Sequence, residues 1–195
     1  MQAKNIYILY TLILAILLSW IFIVPILAFE NDMSFSYSIF SYTCHQKISR
    51  SLCFYRTFSI DDCTNQSGVY IPNDRKEITS EKNGILGYKI PVCARDIGLY
   101  LGMFISAIAY PFIWKLDKQK IYPSIFLVLA IVPLGLDGTI QLISELHILP
   151  FIYESTNLIR LITGLIAGLV ASIYAIPILI GIFEKKIEQT KKESN

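Results

Sequence analysis

Ile6–Phe29 reads IYILYTLILAILLSWIFIVPILAF and carries no charged side chain. At ~1.5 Å per residue, such a run crosses a ~30 Å hydrocarbon core with some tilt, and that decides the fold class. Three further runs follow. Ile97–Trp114 is uncharged and near the short limit; Ile121–Ile143 holds one charge, Asp137; Leu158–Phe183 holds one, Arg160. The expectation is an all-α membrane protein, a single integral domain over residues 1–195, with four transmembrane helices at about 6–29, 97–114, 121–143 and 158–183. A signal peptide would have a shorter apolar core of ~7–15 residues and a small-residue cleavage site, so the first run reads as an uncleaved span.

Composition agrees. The chain is 54% hydrophobic, with its charges gathered in loops and tails, the segregation that hydrocarbon imposes on ions. A net charge of +2 is too small for a nucleic-acid binder; the expected surroundings are membrane lipid and, in one reading, other membrane subunits. Lys115, Lys118 and Lys120 lie between the second and third spans, Lys185, Lys186, Lys191 and Lys192 follow the fourth, and Lys4 precedes the first. The positive-inside rule puts these segments, and both termini, in the cytoplasm of a plasma-membrane protein. The loop 30–96 and the link bearing Glu145 and Glu154 then face outward, and the tail 184–195 is cytoplasmic.

The outer loop holds Cys44, Cys53, Cys63 and Cys93. In an oxidising compartment Cys53 and Cys63, close in sequence, read as a disulfide. Phe35–Phe58 mixes aromatics with Ser, Thr and Arg and reads as a membrane-surface helix. Val69–Ile71 and Leu86–Ile90 read as short strands, with Asn83-Gly84 as a hairpin turn. Asn65-Gln66-Ser67 matches a glycosylation sequon.

Polar residues interrupt the later spans at one depth. Cys93, Asp96 and Tyr100 share a helix face, as do Asp137 and Gln141, and as do Asn157, Arg160, Gly164 and Gly168. Gly98-xxx-Gly102 and Gly164-xxx-Gly168 are close-packing stripes. An Asp137–Arg160 ion pair is expected, since pairing lowers the cost of burying both charges. Cys44, His45, Cys93 and Asp96 are thiolate, imidazole and carboxylate groups suited to a divalent metal, most simply zinc. A Cys44–Cys93 disulfide and a redox thiol pair stand as alternatives. A metal site beside a polar pocket of Arg95, Gln141 and Asn157 would suit a membrane-embedded hydrolase with Asp137 as base and Arg160 as anion clamp. The rival readings are a non-catalytic accessory subunit, a thiol-redox protein and a transporter.

Cys44-His45-Gln46, the stretch Gly87-Tyr88-Lys89-Ile90-Pro91-Val92-Cys93-Ala94-Arg95, Asp137-Gly138-Thr139-Ile140-Gln141 and Asn157-Leu158-Ile159-Arg160-Leu161-Ile162-Thr163-Gly164 occur in order. Together they resemble the small prokaryotic membrane proteins grouped as domain of unknown function 2085, over roughly Cys44–Gly168. The resemblance implies a Cys-Ala-Arg-Cys element, and Asp96 stands where its second cysteine would be. Aspartate ligates zinc but forms no disulfide, so the exchange favours a metal over a redox pair at that position.

Overall fold

The computed structural model describes residues 3–42, 48–63, 79–114, 116, 121–148, 150–151 and 153–193. Helix α1 is Ala3–Leu27, α3 Ala94–Ile113, α4 Ile125–Glu145 and α5 Asn157–Glu193, with a short α2 at Ser34–Ser41. The four long helices are each long and apolar enough to cross a membrane. Their exposed faces are apolar: Ile8, Leu12, Ile16 and Trp20 on α1, and Val128, Leu129, Val132 and Leu136 on α4. In water so much exposed hydrocarbon would drive aggregation; in lipid it is neutral.

The centre of the bundle is a seam between α3 and α5. A Cβ at Gly98 would fall on the Leu161 carbonyl and one at Gly102 on that of Leu165; a Cβ at Gly164 would fall on the Arg95 carbonyl and one at Gly168 on that of Leu99. Both stripes of small residues are thus used, each against the other helix's backbone. The matches advance together, 98 with 161 and 102 with 165, so α3 and α5 run parallel. Where lipid is as apolar as leucine, close backbone packing of this kind drives helix association. Helix α1 lies against the seam through Ile6 and Leu14, which pack with Ala107, Tyr110, Ile176 and Ile180. Tyr10 Oη lies 2.7 Å from Ser172 Oγ, which donates to the Met103 carbonyl at 2.7 Å. Helix α4 packs on α5 and scarcely on α3.

A four-stranded antiparallel sheet, in the order β2-β1-β4-β3, caps the bundle between α1 and α3: β1 Leu52–Tyr55, β2 Ser59–Asp62, β3 Thr79–Lys82 and β4 Ile85–Lys89. The expected hairpin is therefore one of two. Asn83 and Gly84 both adopt positive φ, 54° and 77°, the geometry of the tight primed turn that Asn-Gly favours. Gly87 faces Tyr55 across the strands, where any Cβ would meet the tyrosine ring. The Tyr55 hydroxyl donates to the Asp62 carbonyl at 3.0 Å and lies 3.2 Å from Ser80 Oγ, and Lys82 pairs with Asp61. These links join the two outer strands, so the sheet is curled. Cys53 and Cys63 form a disulfide.

Three expectations change. Among the described residues of the expected Phe35–Phe58 surface helix, α-helix covers Ser34–Ser41, a 3-10 turn covers Ile48–Arg50 and residues 52–55 are strand. Alternate burial of Cys53 and Tyr55 is the period of a strand, and the disulfide holds β1 against β2. Helix α5 continues beyond Phe183 through Glu193, because Glu184–Glu193 contains neither glycine nor proline to end a helix. The third is the Asp137–Arg160 pair, described below. The Val69–Ile71 strand and the Asn65 sequon lie outside the described residues.

Candidate functional site

The polar side chains of the later spans gather at the sheet-capped end. Cys93 is the N-cap of α3 and Asp96 stands in its first turn, where a carboxylate interacts favourably with the helix dipole. Cys93 Sγ lies 3.1 Å from Asp96 Oδ2. Arg95, between them, points toward α4 and forms an ion pair with Asp137. Gly138 makes room for it: a Cβ there would stand 3.1 Å from Arg95 Nη1. Asp137 Oδ1 also accepts from the Tyr153 hydroxyl at 3.0 Å. One turn on, Gln141 is buried with Nε2 lacking a hydrogen-bond partner.

Asp137 thus pairs with Arg95, not Arg160. The physical reason is direction. The α3–α5 seam leaves Arg95 at the edge facing α4, while Asn157 and Arg160 face the sheet. Asn157 Nδ2 donates to Asp62 Oδ1 at 2.8 Å and to the Ser51 carbonyl at 3.3 Å. Arg160 Nη1 donates to the Ser49 carbonyl and to Asn157 Oδ1, each at 3.4 Å. Its nearest carboxylate is Glu154, with Oε1 4.0 Å from Nη2. Arg160 is 1% exposed, and among the described residues its Nε and Nη2 have no hydrogen-bond partner.

Three partners were not read from the sequence. Tyr153 lies in the link between α4 and α5, where no helical spacing points to it. Arg50 pairs with Glu145 at the end of α4; only a register linking loop to helix would have revealed it. Ser144 accepts from the Tyr153 amide at 2.6 Å and donates to the Phe151 carbonyl at 3.2 Å, fixing the link that carries Tyr153. Beside these groups is a cavity of about 360 Å³ lined by residues that include Ser49, Arg50, His147, Tyr153 and Glu154.

Of the four expected metal ligands, Cys93 and Asp96 are together, whereas Cys44 and His45 lie outside the described residues. Among the described residues no group of three or more His, Cys, Asp or Glu side chains is placed to hold a metal ion.

The motif elements now have places: Cys-Ala-Arg-Asp opens α3, Asp-Gly-x-x-Gln faces it from α4, and Asn-x-x-Arg-x-x-Thr-Gly opens α5. Residues 83–174 match the family model described as Predicted membrane protein (DUF2085). The DUF2085 match begins at the Asn83-Gly84 turn and contains the whole Arg95–Asp137–Tyr153 network, Arg160 and both glycine stripes. Cys44-His45 and the Cys53–Cys63 hairpin precede it. An uncharacterized protein of Methanocaldococcus jannaschii is 42% identical over 104 residues, which cover 53% of this chain and 62% of that relative. The chain therefore spans about three fifths of the length of the curated relative it matches. No solved structure matches it.

Proposed function

We propose that the sheet-capped end of the bundle is a site for a polar ligand and faces the extracytoplasmic side of the membrane. The observation that carries the reading is the pair of half-buried Arg95 with buried Asp137, joining helices that hardly touch otherwise. A merely structural tie is made as well or better by apolar side chains, since desolvating two ions can outweigh their attraction. Retained charge, a cavity next to it and buried donors without partners fit recognition better than adhesion. The disulfide supports the outward orientation, because such bonds persist in oxidising compartments; the lysine distribution supports it independently.

A divalent metal, zinc-like, is a second reading favoured by the 3.1 Å approach of Cys93 Sγ to Asp96 Oδ2. Two such ligands on one tetrahedral zinc stand roughly 3.5 Å apart, from bond lengths of ~2.3 and ~2.0 Å. Cys44 and His45 would complete the set, and the metal would supply Lewis acidity for hydrolysis. As Asp137 stands, both its oxygens already accept hydrogen bonds, so a role as base would need Tyr153 or Arg95 to give way. In this reading Asp137 positions Arg95.

Two measurements test these statements. Thr57→Cys, in the β1–β2 turn, labelled in intact cells with a membrane-impermeant maleimide and compared with the parent chain, should react from outside; reaction only after lysis sinks the orientation. Elemental analysis of detergent-purified protein should find about one equivalent of divalent metal, lost in both Cys93→Ser and Asp96→Asn. A metal-free wild type ends the second reading and leaves the first standing.

A further inference from the structure

A guanidinium offers its donors in a fixed plane, and the edge formed by Nε and Nη2 takes two oxygens of one oxyanion side by side. In Arg160 the occupied end is Nη1, shared between the Ser49 carbonyl and Asn157 Oδ1. The Nε and Nη2 edge is buried and has no hydrogen-bond partner among the described residues, in a residue that is 1% exposed. Folding does not leave such an edge idle without reason, because a buried cationic donor without an acceptor is among the costlier defects a protein carries. Glu154 is the nearest carboxylate, but 4.0 Å from Nη2 is beyond hydrogen-bond reach, and its side chain is 53% exposed.

The surroundings repeat the pattern. Arg50 and Arg95 each use one end of the guanidinium on a carboxylate, Glu145 and Asp137, and each leaves a buried Nε without a partner. Ser49 and Glu154, which touch Arg160, also line the cavity of about 360 Å³, as does Arg50. The paired edge of Arg160 takes two oxygens of an oxyanion, and a tetrahedral phosphate group has further oxygens left for the unfilled Nε of Arg50, which lines the cavity.

We infer that the Nε and Nη2 edge of Arg160 is the binding edge for a phosphate group entering from this cavity, with the Glu154 carboxylate as its built-in competitor. The inference rests on the reading of this end as a ligand site and names the ligand's chemistry. A free phosphate and a phosphate-bearing lipid headgroup share that chemistry. Glu154, on the wall common to the cavity and Arg160, is the group that either ligand displaces.

The test uses the full chain in phosphatidylcholine nanodiscs, in buffer containing a metal chelator, so that a failure of the metal reading does not touch the result. Inorganic phosphate is titrated by calorimetry into wild type, Glu154→Gln and Arg160→Lys. In a second arm the nanodiscs contain phosphatidylglycerol and thermal stability is read. Glu154→Gln should tighten phosphate binding at least about threefold, and Arg160→Lys, which keeps the charge but loses the paired edge, should weaken it at least about tenfold. A response to phosphatidylglycerol without one to inorganic phosphate assigns the source to lipid, provided Glu154→Gln enlarges it. No binding of either probe by wild type or Glu154→Gln overturns the inference, as does binding indifferent to Arg160→Lys. If Arg160→Lys does not fold, Glu154→Gln decides alone, and an unchanged response overturns it. Neither outcome depends on which side of the membrane the cap faces.

Discussion

Helix α3 meets α5 and α4 in opposite ways. Against α5 it presents glycine, and the backbones touch with no charged side chain between them. Against α4 the approach is bridged by Arg95 and Asp137, with Tyr153 arriving from the link beyond. The first interface leaves no space and offers no chemistry. The second is made of groups that hold charge, donate hydrogen bonds and sit beside a cavity. The difference teaches where this molecule is scaffold and where it can act.

The comparison breaks most severely at the seam. Gly168→Leu should destabilise by at least about 3 kcal/mol, the upper range for overpacking a tight contact, because the Leu99 backbone cannot retreat. Thermal unfolding in detergent reads this, with Gly135→Leu, which faces open space, as the control that should be no less stable than wild type. A comparable loss in both variants would mean the seam is nothing special.

Asp137→Ala should come next. It leaves Arg95 without its carboxylate, and removal of one partner of a part-buried pair costs roughly 2–3 kcal/mol, below the range for a fully buried one. The double change Arg95→Met with Asp137→Leu should recover most of that. Recovery of stability together with loss of phosphate binding would separate the tie from the site; an unaffected single variant would remove the contrast between the two interfaces.

Replacing Cys53 and Cys63 by alanine should cost about 2 kcal/mol, from the short loop the bond closes. Amide exchange should show it in β1 and β2 and leave the α3–α5 seam protected. Exchange that speeds everywhere would show that cap and seam unfold together.

Gly135→Ala should raise stability by up to about 1 kcal/mol through helix propensity, whereas Gly138→Ala should gain less, because its methyl crowds Arg95 Nη1. Equal gains would put Arg95 elsewhere. The smallest effect belongs to Asp61, whose carboxyl is held below the usual carboxylate range chiefly by the hydrogen bond from Lys82, with the Asp62 amide assisting. A depressed folded value means the contribution is present above the unfolded pKa of about 3.9 and is lost as pH falls through the lower folded one. An NMR titration should place Asp61 below that reference, and Lys82→Ala should move it up.

Much of this was legible from the chain. The spans were marked by uncharged runs, the glycine stripes by their spacing of four, the turn by Asn83-Gly84 and the disulfide by the nearness of Cys53 to Cys63. What escaped was direction around the helix axis. Spacing placed Asp137 and Arg160 at one depth but could not say that close packing of α3 on α5 turns Arg95 toward α4 and leaves Arg160 to the sheet. Tyr153 and Arg50 escaped for a related reason, since both enter the site from loops whose path no periodicity encodes. In Phe35–Phe58 the aromatic content suggested a helix, yet the alternation at 52–55 and the disulfide prevailed over it.

The glycine seam also bears on permeation. With no gap for a methyl group between Gly98 and Leu161, or between Gly168 and Leu99, no file of water or ions can run down the junction of α3 and α5. A solute crossing within one copy of this protein would have to pass elsewhere. At the opposite end of α4 lies a second cavity, of about 290 Å³, walled by Trp114, Tyr122, Phe126, Val170, Ile173 and Tyr174, a lining that suits an apolar group better than a hydrated ion.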